Sequence, residues 1–494
     1  MSISRRLFLT GSLSGAGVLL LSACTDPAPK PSATATRSPS PTPTPTPTAT
    51  GPKPSAFRRS TWGTDPYAYG SSSFLTADST DDDRSTLRTP LDDKVFFAGE
   101  AVAETDPGTV MGAHASGLAA AAQVAAVAGS GERIAVIGAG MAGATAARAL
   151  ADQGFDVVVV EARHRVGGRI ASYESDDWPI EVQLGVSTLF GDGASAFESL
   201  LAAEGVSTVE LAASGTASLD GRTSPLPTTA AITTALASAY AWAERQSQEV
   251  TVSSALTGSG AAARLGTTAD ATGVSDADRL AFLLTDALPA RFGAGPSALS
   301  ARVLDEEPLP QGAHLVTEGF GDYVTAQLKD LDVLRGSNVT QIDYGNQGIG
   351  LRFVTGESLS ADRVVSTIPL GVLKKKKIVF VPALPAAQLA SIDALGVGVQ
   401  DVLWLRFDEK LWSSDATVWA VLDDSATYKI WLNLEPATGS PILVALTGGS
   451  AATKIGKLGD GEAVAAAVAS ISSYFDLAPS TASPTPTPSS SPAP

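Results

Sequence analysis

The sequence predicts an α/β protein, and three consecutive features predict it. A β-branched run at residues 133–137 leads directly into the glycine-rich loop 138–143, which reads Gly-Ala-Gly-Met-Ala-Gly. An alanine-rich stretch of helical composition continues to about Gln153, and a second β-branched run at residues 155–160 ends at Glu161. Strand, glycine loop, helix and strand in this order are typical of a Rossmann-like unit built on a parallel sheet.

The loop between the first strand and the helix predicts a phosphate site. Glycines permit a tight turn and a close approach of the backbone, so a diphosphate can lie at the helix N-terminus. Glu161 follows the last glycine by 18 residues (161 − 143), close to the spacing of about 20 expected for an acid that binds a ribose hydroxyl. The sequence therefore predicts that a dinucleotide is bound by Gly138, Gly140, Met141, Ala142, Gly143 and Glu161.

Length and charge narrow the class of protein. The 494 residues, 44% of them hydrophobic, are enough for a two-domain enzyme once the tails are removed. Lys plus Arg is 34 and Asp plus Glu is 51, so the net charge is 34 − 51 = −17. This balance disfavours nucleic acid as a partner, because no basic stripe is present to displace phosphate counterions. The excess of negative charge would mildly favour cationic ligands, and a need for solubility explains that excess equally well.

Both ends of the chain are predicted to lie outside the fold. Residues 1–24 carry Arg5 and Arg6 ahead of an apolar run, which resembles a twin-arginine export signal, and residues 21–24 resemble a lipobox. Cys24 is the only cysteine, so a disulfide within the chain is excluded. We expect lipidation at Cys24 and attachment to the extracytoplasmic face of the cell membrane. Residues 25–56 and 477–494 are rich in Pro, Ser and Thr and predict a disordered linker and a disordered tail.

A second motif directs the prediction towards one cofactor. Residues 161–169, Glu-Ala-Arg-His-Arg-Val-Gly-Gly-Arg, resemble the continuation found in the flavin-dependent amine oxidase family, whose members include monoamine and polyamine oxidases. The resemblance implies FAD, with Arg163 and Arg169 near the diphosphate, where their guanidinium groups can offset its charge. It also implies a backbone contact of Val339 with adenine and a close approach of Gly185 to the flavin ring. The remaining residues that this motif adds to the cofactor site are Ala162 and Gly168.

The order of the chain departs from that family. Residues 94–100 and 108–117 resemble the segment that normally ends these proteins and covers FAD, yet here they precede the glycine loop. We therefore predict a circularly permuted order, with a partial duplication or an assembly artefact as alternatives. Residues near Ala56 and Leu477 should then be neighbours, because domain termini often lie close together, and Val95 to Gly99 should pack beside the strand at Ile134. The predicted segments are 57–128 for the permuted C-terminal part, 129–189 for the glutathione-reductase-type Rossmann core, 190–330 for most of an α+β substrate domain, and 331–476 for further FAD-binding strands and the rest of the substrate domain.

The permuted segment supplies further expected cofactor contacts. The resemblance places Glu100 at the ribityl chain or the diphosphate. It places Thr109 and Val110 at a helix N-terminus beneath the pyrimidine edge of the flavin, where backbone N–H groups stabilise negative charge. Ser71 occupies the position at which some relatives attach the flavin through cysteine, so FAD is expected to be non-covalent.

Two positions depart from the family pattern. Gln388 stands where the family commonly has a lysine bonded through water to flavin N5, and we take it as the candidate catalytic position. Ser72 stands where many relatives have an aromatic residue. Together with Thr109 opposite, Ser72 predicts a wider and more polar substrate pocket. Trp431 is a third candidate for that pocket, with core packing as the alternative role. The sequence predicts no metal site.

The resemblance implies oxidation of an amine by hydride transfer to flavin N5. The imine is then hydrolysed to a carbonyl compound, and O₂ reoxidises the flavin to give H₂O₂. Two alternatives remain open: an FAD oxidoreductase or desaturase acting on an apolar substrate that is not an amine, and a flavin-binding surface protein that has lost turnover. An NAD dehydrogenase is the least favoured interpretation.

Overall fold

The computed structural model describes residues 52–475, except residues 190–192, 307–308, 310–311 and 346–347. The predicted export signal, its lipid site at Cys24 and the predicted tail lie outside the described residues. Of the predicted linker, residues 52–56 are described, and Ala56 already belongs to a strand.

The described residues form short strands and helices that alternate along the chain. The strands are β1 (Ala56–Arg59), β2 (Ser72–Phe74), β3 (Val95–Phe97), β4 (Arg133–Ile137), β5 (Asp156–Val160), β6 (Ser172–Tyr173), β7 (Val182–Gln183), β8 (Thr188–Leu189), β9 (Ser207–Glu210), β10 (Gly215–Leu219), β11 (Arg222–Ser224), β12 (His314–Glu318), β13 (Asp332–Leu334), β14 (Val339–Asp343), β15 (Ile349–Phe353), β16 (Ser358–Ala361), β17 (Arg363–Ser366), β18 (Val379–Val381), β19 (Gly396–Gly398), β20 (Gln400–Arg406), β21 (Val418–Val421), β22 (Ile430–Asn433) and β23 (Ile442–Gly448). The helices are α1 (Asp81–Arg88), α2 (Val110–Val127), α3 (Met141–Ala151), α4 (Ala194–Ala203), α5 (Ala230–Ala243), α6 (Val252–Ser259), α7 (Asp276–Phe282), α8 (Leu288–Phe292), α9 (Phe320–Gln327), α10 (Leu370–Lys374), α11 (Ala386–Ala394), α12 (Glu435–Thr438), α13 (Gly449–Ile455) and α14 (Asp460–Ser470).

The predicted Rossmann unit is a five-stranded parallel sheet with the order β13-β5-β4-β17-β3. Its strands are nearly continuous apolar runs because both faces of the sheet are covered. Ile134 and Val136 of β4 pack with α2 and α3 on one face. Ala135 and Ile137 pack on the other face with residues of β14 and β15.

One expectation about this sheet is wrong. Val95 to Gly99 was expected beside the strand at Ile134, but β3 pairs in parallel with β17, which lies between β3 and β4. Val364 of β17 pairs with Val95 on one side and with Ala135 on the other. The segment that was predicted to be permuted therefore forms the edge of the sheet, one strand further out than predicted.

A second large sheet has seven strands in the order β1-β20-β23-β22-β21-β10-β11. Helices α5 to α8, from the predicted substrate segment 190–330, contribute to the core on one face of this sheet. A cluster rich in aromatic residues lies on the other face. Strand β1 pairs with β20 at the edge, with Ala56 opposite Arg406, so the first described strand completes a sheet whose other strands come from later in the chain.

The first and last described residues lie close together. Phe57 packs against the same aromatic cluster that contains Tyr474 and Phe475. Arg59 forms an ion pair with Asp460 at the start of α14, with a distance of 2.8 Å between Nε and Oδ1. Leu477, for which the neighbourhood was predicted, lies outside the described residues.

Helix α2 is 18 residues long and apolar, so its length and composition alone would allow it to cross a membrane. In the structure α2 packs along α3, and its Ala120 and Ala121 are buried between the two. A Cβ on Gly117 would overlap the carbonyl oxygen of Ala142. Helix α2 is thus packed closely into the core beside the glycine loop.

Candidate functional site

A cavity of about 460 Å³ opens at the carboxyl edge of the parallel sheet. Its walls include the residues that directly follow β4, β5 and β17, together with Gly99 just beyond β3, because the ends of parallel strands meet at one edge of a sheet. Its size is within the range of small-molecule sites. The predicted cofactor residues that line the cavity are Glu100, Thr109, Val110, Gly138, Gly140, Met141, Ala142, Glu161, Ala162, Arg163, Gly168, Arg169 and Val339.

Two predicted glycines shape the cavity from behind its wall. A Cβ on Gly143 would overlap the carbonyl oxygen of Gly138, and a Cβ on Gly185 would overlap the carbonyl oxygen of Arg169. Gly138 itself has a φ of +101°, a conformation that favours glycine. The glycines are therefore needed for the backbone path around the cavity.

Glu161 is held in one orientation at the end of β5. Its Oε2 accepts a hydrogen bond from the N–H of Ala139 (2.8 Å), and its Oε1 accepts one from the N–H of Arg163 (2.8 Å). The side chain is 5% exposed and lines the cavity. Each carboxylate oxygen keeps a lone pair that can accept a hydroxyl group of a bound ligand.

The N-termini of two helices lie at the cavity. Gly140 caps α3, and the first residues of that helix, Met141 and Ala142, line the wall. Thr109 caps α2, where its Oγ1 accepts a hydrogen bond from the N–H of Gly112 (3.1 Å). Both helix dipoles point their positive ends at the same space, so the cavity favours an anionic ligand.

Glu100 is buried in the wall between these two helix ends. Its Oε1 accepts a hydrogen bond from Nη1 of Arg169 (2.9 Å), and its Oε2 accepts hydrogen bonds from the N–H and Oγ of Ser73 (3.1 and 2.6 Å). Burial alone would raise the pKa of Glu100. The charge of Arg169, the hydrogen bonds and the charge of Arg84 outweigh burial and lower that pKa. Glu100 is therefore ionised at neutral pH.

Arg163 lies at the cavity, but its charge is already paired. Its Nη1 and Nη2 donate to the two carboxylate oxygens of Asp65, each over 2.8 Å. Such a bidentate pair fixes the guanidinium plane and ties the loop that begins at Asp65 to the Rossmann core. Asp65, an acid that the sequence did not indicate, thus neutralises part of the charge with which Arg163 was expected to offset a diphosphate.

Several residues at the cavity were missed from the sequence. Tyr67 and Tyr69 line it from the loop that Asp65 opens, and Thr367 lines it from the end of β17. Lys377 also lines it. The available signal for the two tyrosines was that they belong to the segment 57–128, which resembles part of the family's fold.

Besides Gly143 and Gly185, three further predicted site residues do not line the cavity. Ser72 donates from Oγ to Oε1 of Gln400 (2.8 Å). Trp431 is fully buried within the aromatic cluster of the seven-stranded sheet and donates from Nε1 to the carbonyl oxygen of Tyr428 (3.1 Å). Ser72 and Trp431, predicted as substrate-pocket residues, are thus not part of this cavity, and core packing, the alternative for Trp431, describes its position.

Gln388 is the third of these residues that do not line the cavity. It is 2% exposed on α11, and its Nε2 donates to the carbonyl oxygens of Thr86, Leu87 and Thr89 at 3.4, 3.4 and 2.9 Å. These carbonyl groups belong to the C-terminal end of α1, whose last carbonyl groups have no partner within the helix. Gln388 thus caps a helix rather than facing the cavity, and a catalytic role has no support from its position.

Side chains that could bind a metal ion are not clustered in the described part of the chain. Within residues 52–475, apart from the short gaps, no group of three or more His, Cys, Asp or Glu side chains is placed to hold a metal ion.

The family model for flavin-containing amine oxidoreductases matches residues 44–125 and 141–488, which is most of the chain. Polyamine oxidase 2 of Arabidopsis thaliana is 29% identical over 346 residues, which cover 66% of this chain and 69% of that protein. Polyamine oxidase 4 of Oryza sativa subsp. japonica is 34% identical over 178 residues, which cover 36% of this chain and 37% of that protein.

Solved structures share the fold. Wild-type putrescine oxidase bound to putrescine matches with a TM-score of 0.54 at 19% identity, over 70% of this chain and 81% of that one. Cyclohexylamine oxidase from Brevibacterium oxydans IH-35A matches with a TM-score of 0.55 at 18% identity, over 70% of this chain and 82% of that one. At these identities the structures establish a common fold and nothing more.

The cavity fits the cofactor of that family. Glycines line it where a Cβ would narrow the backbone path, two helix N-termini suit a diphosphate, and Glu161 suits a ribose hydroxyl. Ser71 lines the cavity where a covalent bond would need cysteine, and its Oγ donates to the carbonyl oxygen of Gln400 (2.8 Å). The chain therefore belongs to the flavin-containing amine oxidoreductase family, as an oxidoreductase of amine oxidase type whose cofactor is non-covalently bound FAD.

Proposed function

We propose that this protein oxidises a primary or secondary amine to an imine, which water converts to a carbonyl compound, with O₂ as the electron acceptor and H₂O₂ as the second product. The observation that carries the proposal is the cavity, into which the family's glycine loop and the N-terminus of α2 both open. The relatives named polyamine oxidase and the fold shared with an oxidase bound to putrescine support an amine as substrate.

The chain's own residues would position and desolvate the reactants. FAD, when bound, supplies the hydride acceptor for the carbon beside the amine nitrogen. Residues 138–143 and the α3 N-terminus would hold the diphosphate. The backbone at Thr109 and Val110 lies at the positive end of the α2 dipole, where it can stabilise negative charge that develops on a bound ring system.

An amine titration tests the function directly. We expect purified protein to be yellow, anaerobic addition of a suitable amine to bleach the visible spectrum, and admission of O₂ to restore the colour with release of H₂O₂. Putrescine, longer polyamines and cyclohexylamine form a first panel. Bleaching by an apolar compound that is not an amine, with none by amines, would favour the oxidoreductase or desaturase alternative. A yellow protein that no compound in a broad panel bleaches would favour lost turnover.

We propose that the chain order is circularly permuted. The family model matches residues 44–125 separately from 141–488, and strand β1 and the end of the described chain pack on one aromatic cluster. Both features are expected if residues 57–128 once followed α14. A variant that carries residues 57–128 behind residue 475, joined by glycine–serine linkers of several lengths, should fold and bind FAD. Failure at every linker length, with wild-type protein yellow, would contradict the proposal.

We further propose export by the twin-arginine route and lipid attachment at Cys24. The support is the sequence of residues 1–24, in which the arginine pair, the apolar run and the lipobox-like residues 21–24 follow in order. Metabolic labelling with a fatty acid should label the wild-type protein and leave a Cys24→Ser variant unlabelled. An unlabelled wild-type protein in a bacterial host with lipoprotein processing would contradict this assignment.

A further inference from the structure

A buried arginine lies directly behind the cavity wall. Arg84 of α1 is 3% exposed, and its Nη1 donates to the Oγ of Ser73 (2.8 Å) and to the carbonyl oxygen of Ala101 (2.9 Å). The same Ser73 Oγ donates to Oε2 of Glu100 (2.6 Å). Arg84 thus reaches the cavity-lining carboxylate through one hydroxyl group.

The charges in this cluster do not cancel. The Arg84 cluster, defined as Arg84, Ser73, Glu100 and Arg169, contains two cations and one anion, so its net charge is +1. In the described part of the chain, no acidic side chain lies within 4 Å of the Arg84 guanidinium, and its Nε is buried without a hydrogen-bond partner. Asp81, the other acid that acts on Arg84, is exposed and is paired with Arg302 at 3.0 Å.

Burying this charge costs free energy, which the neighbouring acids offset only in part. Burial lowers the pKa of Arg84, and the attraction of Glu100 and Asp81 only partly opposes that effect. Because arginine stays charged in proteins, the unbalanced charge persists in the folded state. Glu100 and Arg169 line the cavity, so an anionic group bound there lies next to a net positive cluster in a region shielded from solvent.

We propose that Arg84 is a positioning residue for the cofactor: it fixes Glu100 through Ser73, and its unbalanced charge strengthens the binding of the FAD diphosphate in the cavity. The inference rests on FAD as the cofactor. Arg84 touches neither the cavity nor the reacting atoms, since it does not line the cavity. Its effect must therefore act through Glu100 and through the electrostatic potential at the wall.

Titration of the apo-protein with FAD at several salt concentrations tests the proposal. We expect Arg84→Met to weaken FAD binding roughly tenfold at low salt, as expected for the loss of one charge interaction in a partly shielded site. The dependence of Kd on salt should become shallower, because one cation fewer acts on the diphosphate. Arg84→Lys keeps the charge and should restore most of the affinity and the steeper salt dependence.

Arg88→Met is the matched control. Arg88 lies one turn further along α1 and donates to the carbonyl oxygen of Val102 (2.9 Å), without contact to Ser73 or Glu100. This variant should keep the wild-type Kd and salt dependence. If Arg84→Met does not fold, Ser73→Ala replaces it: it removes the hydroxyl bridge to Glu100, and weaker FAD binding is again expected.

The outcomes separate the inference from the cofactor assignment. Wild-type apo-protein that takes up no FAD would overturn both. Wild-type binding with an unchanged Kd in Arg84→Met, or in Ser73→Ala should it be needed, would overturn the inference alone. A weaker Kd with an unchanged salt dependence and no recovery in Arg84→Lys would assign Arg84 a merely structural role and would also overturn it.

Discussion

Gly143→Ala is expected to yield a folded protein that purifies almost free of FAD. The added Cβ would overlap the carbonyl oxygen of Gly138 and would lie 3.3 Å from Oγ1 of Thr367. Because the overlapped atom belongs to the backbone, the loop 138–143 must move, and the N–H groups at the start of α3 move with it. Loss of two hydrogen bonds to a charged group costs about 3 kcal/mol, which corresponds to a roughly hundredfold weaker FAD complex.

Flavin content and FAD titration of the apo-protein measure this effect. The ratio of visible to ultraviolet absorbance gives the content, and quenching of flavin fluorescence gives the Kd. Gly461→Ala is the control, because a Cβ at this exposed helical position meets nothing within 4 Å. Gly143→Ala protein with a full complement of tightly bound FAD would show that the loop does not bind the diphosphate.

The glycine loop could be predicted from sequence because its geometry is local. The glycine spacing, the flanking strands and Glu161 all lie within 30 residues, and each specifies backbone conformation directly. Features that depend on neighbouring residues in the chain were thus the ones that sequence reasoning recovered.

Features that depend on distant residues were missed or misplaced. The position of β3 is set by its pairing with β17, about 270 residues later, and no local signal specifies which strand lies next to it. The pairing of Arg163 with Asp65 joins residues 98 apart. Gln388 was assigned by its resemblance to the position of the family's lysine, which fixes its place along the chain but not the direction of its side chain. That direction leads to the end of α1.

Trp431 shows the same limit within a strand. Alternate residues of a strand face opposite sides of the sheet. The role of Trp431 therefore depends on which face of the seven-stranded sheet carries its side chain. Trp431 pairs across the sheet with Trp419, and both belong to the aromatic cluster. The face on which Trp431 lies follows only from the assembled sheet.

Glu100→Gln is expected to destabilise the apo-protein by about 3–5 kcal/mol at pH 7, the range for breaking a buried ion pair by removing one partner. The change keeps the shape of the side chain but leaves Arg84 and Arg169 without a carboxylate. Urea unfolding measures the loss of stability. Glu104→Gln is the control: Glu104 is 83% exposed and lies 3.5 Å from Arg88, and an exposed pair of this kind contributes at most about 1 kcal/mol.

The pH dependence of the Glu100→Gln difference follows from the lowered pKa of Glu100. In the unfolded chain the carboxyl has its ordinary pKa of 4.5, and in the folded protein its pKa is lower. The unfolded state therefore binds the proton first, and the stabilisation is complete above pH 4.5 and is lost as the pH falls through the folded pKa. The stability difference between wild type and Glu100→Gln should accordingly be constant from pH 6 to 8 and shrink on acidification. A difference that grows in acid, or a variant as stable as wild type at pH 7, would show that the charge of Glu100 does not stabilise the fold through the two arginines.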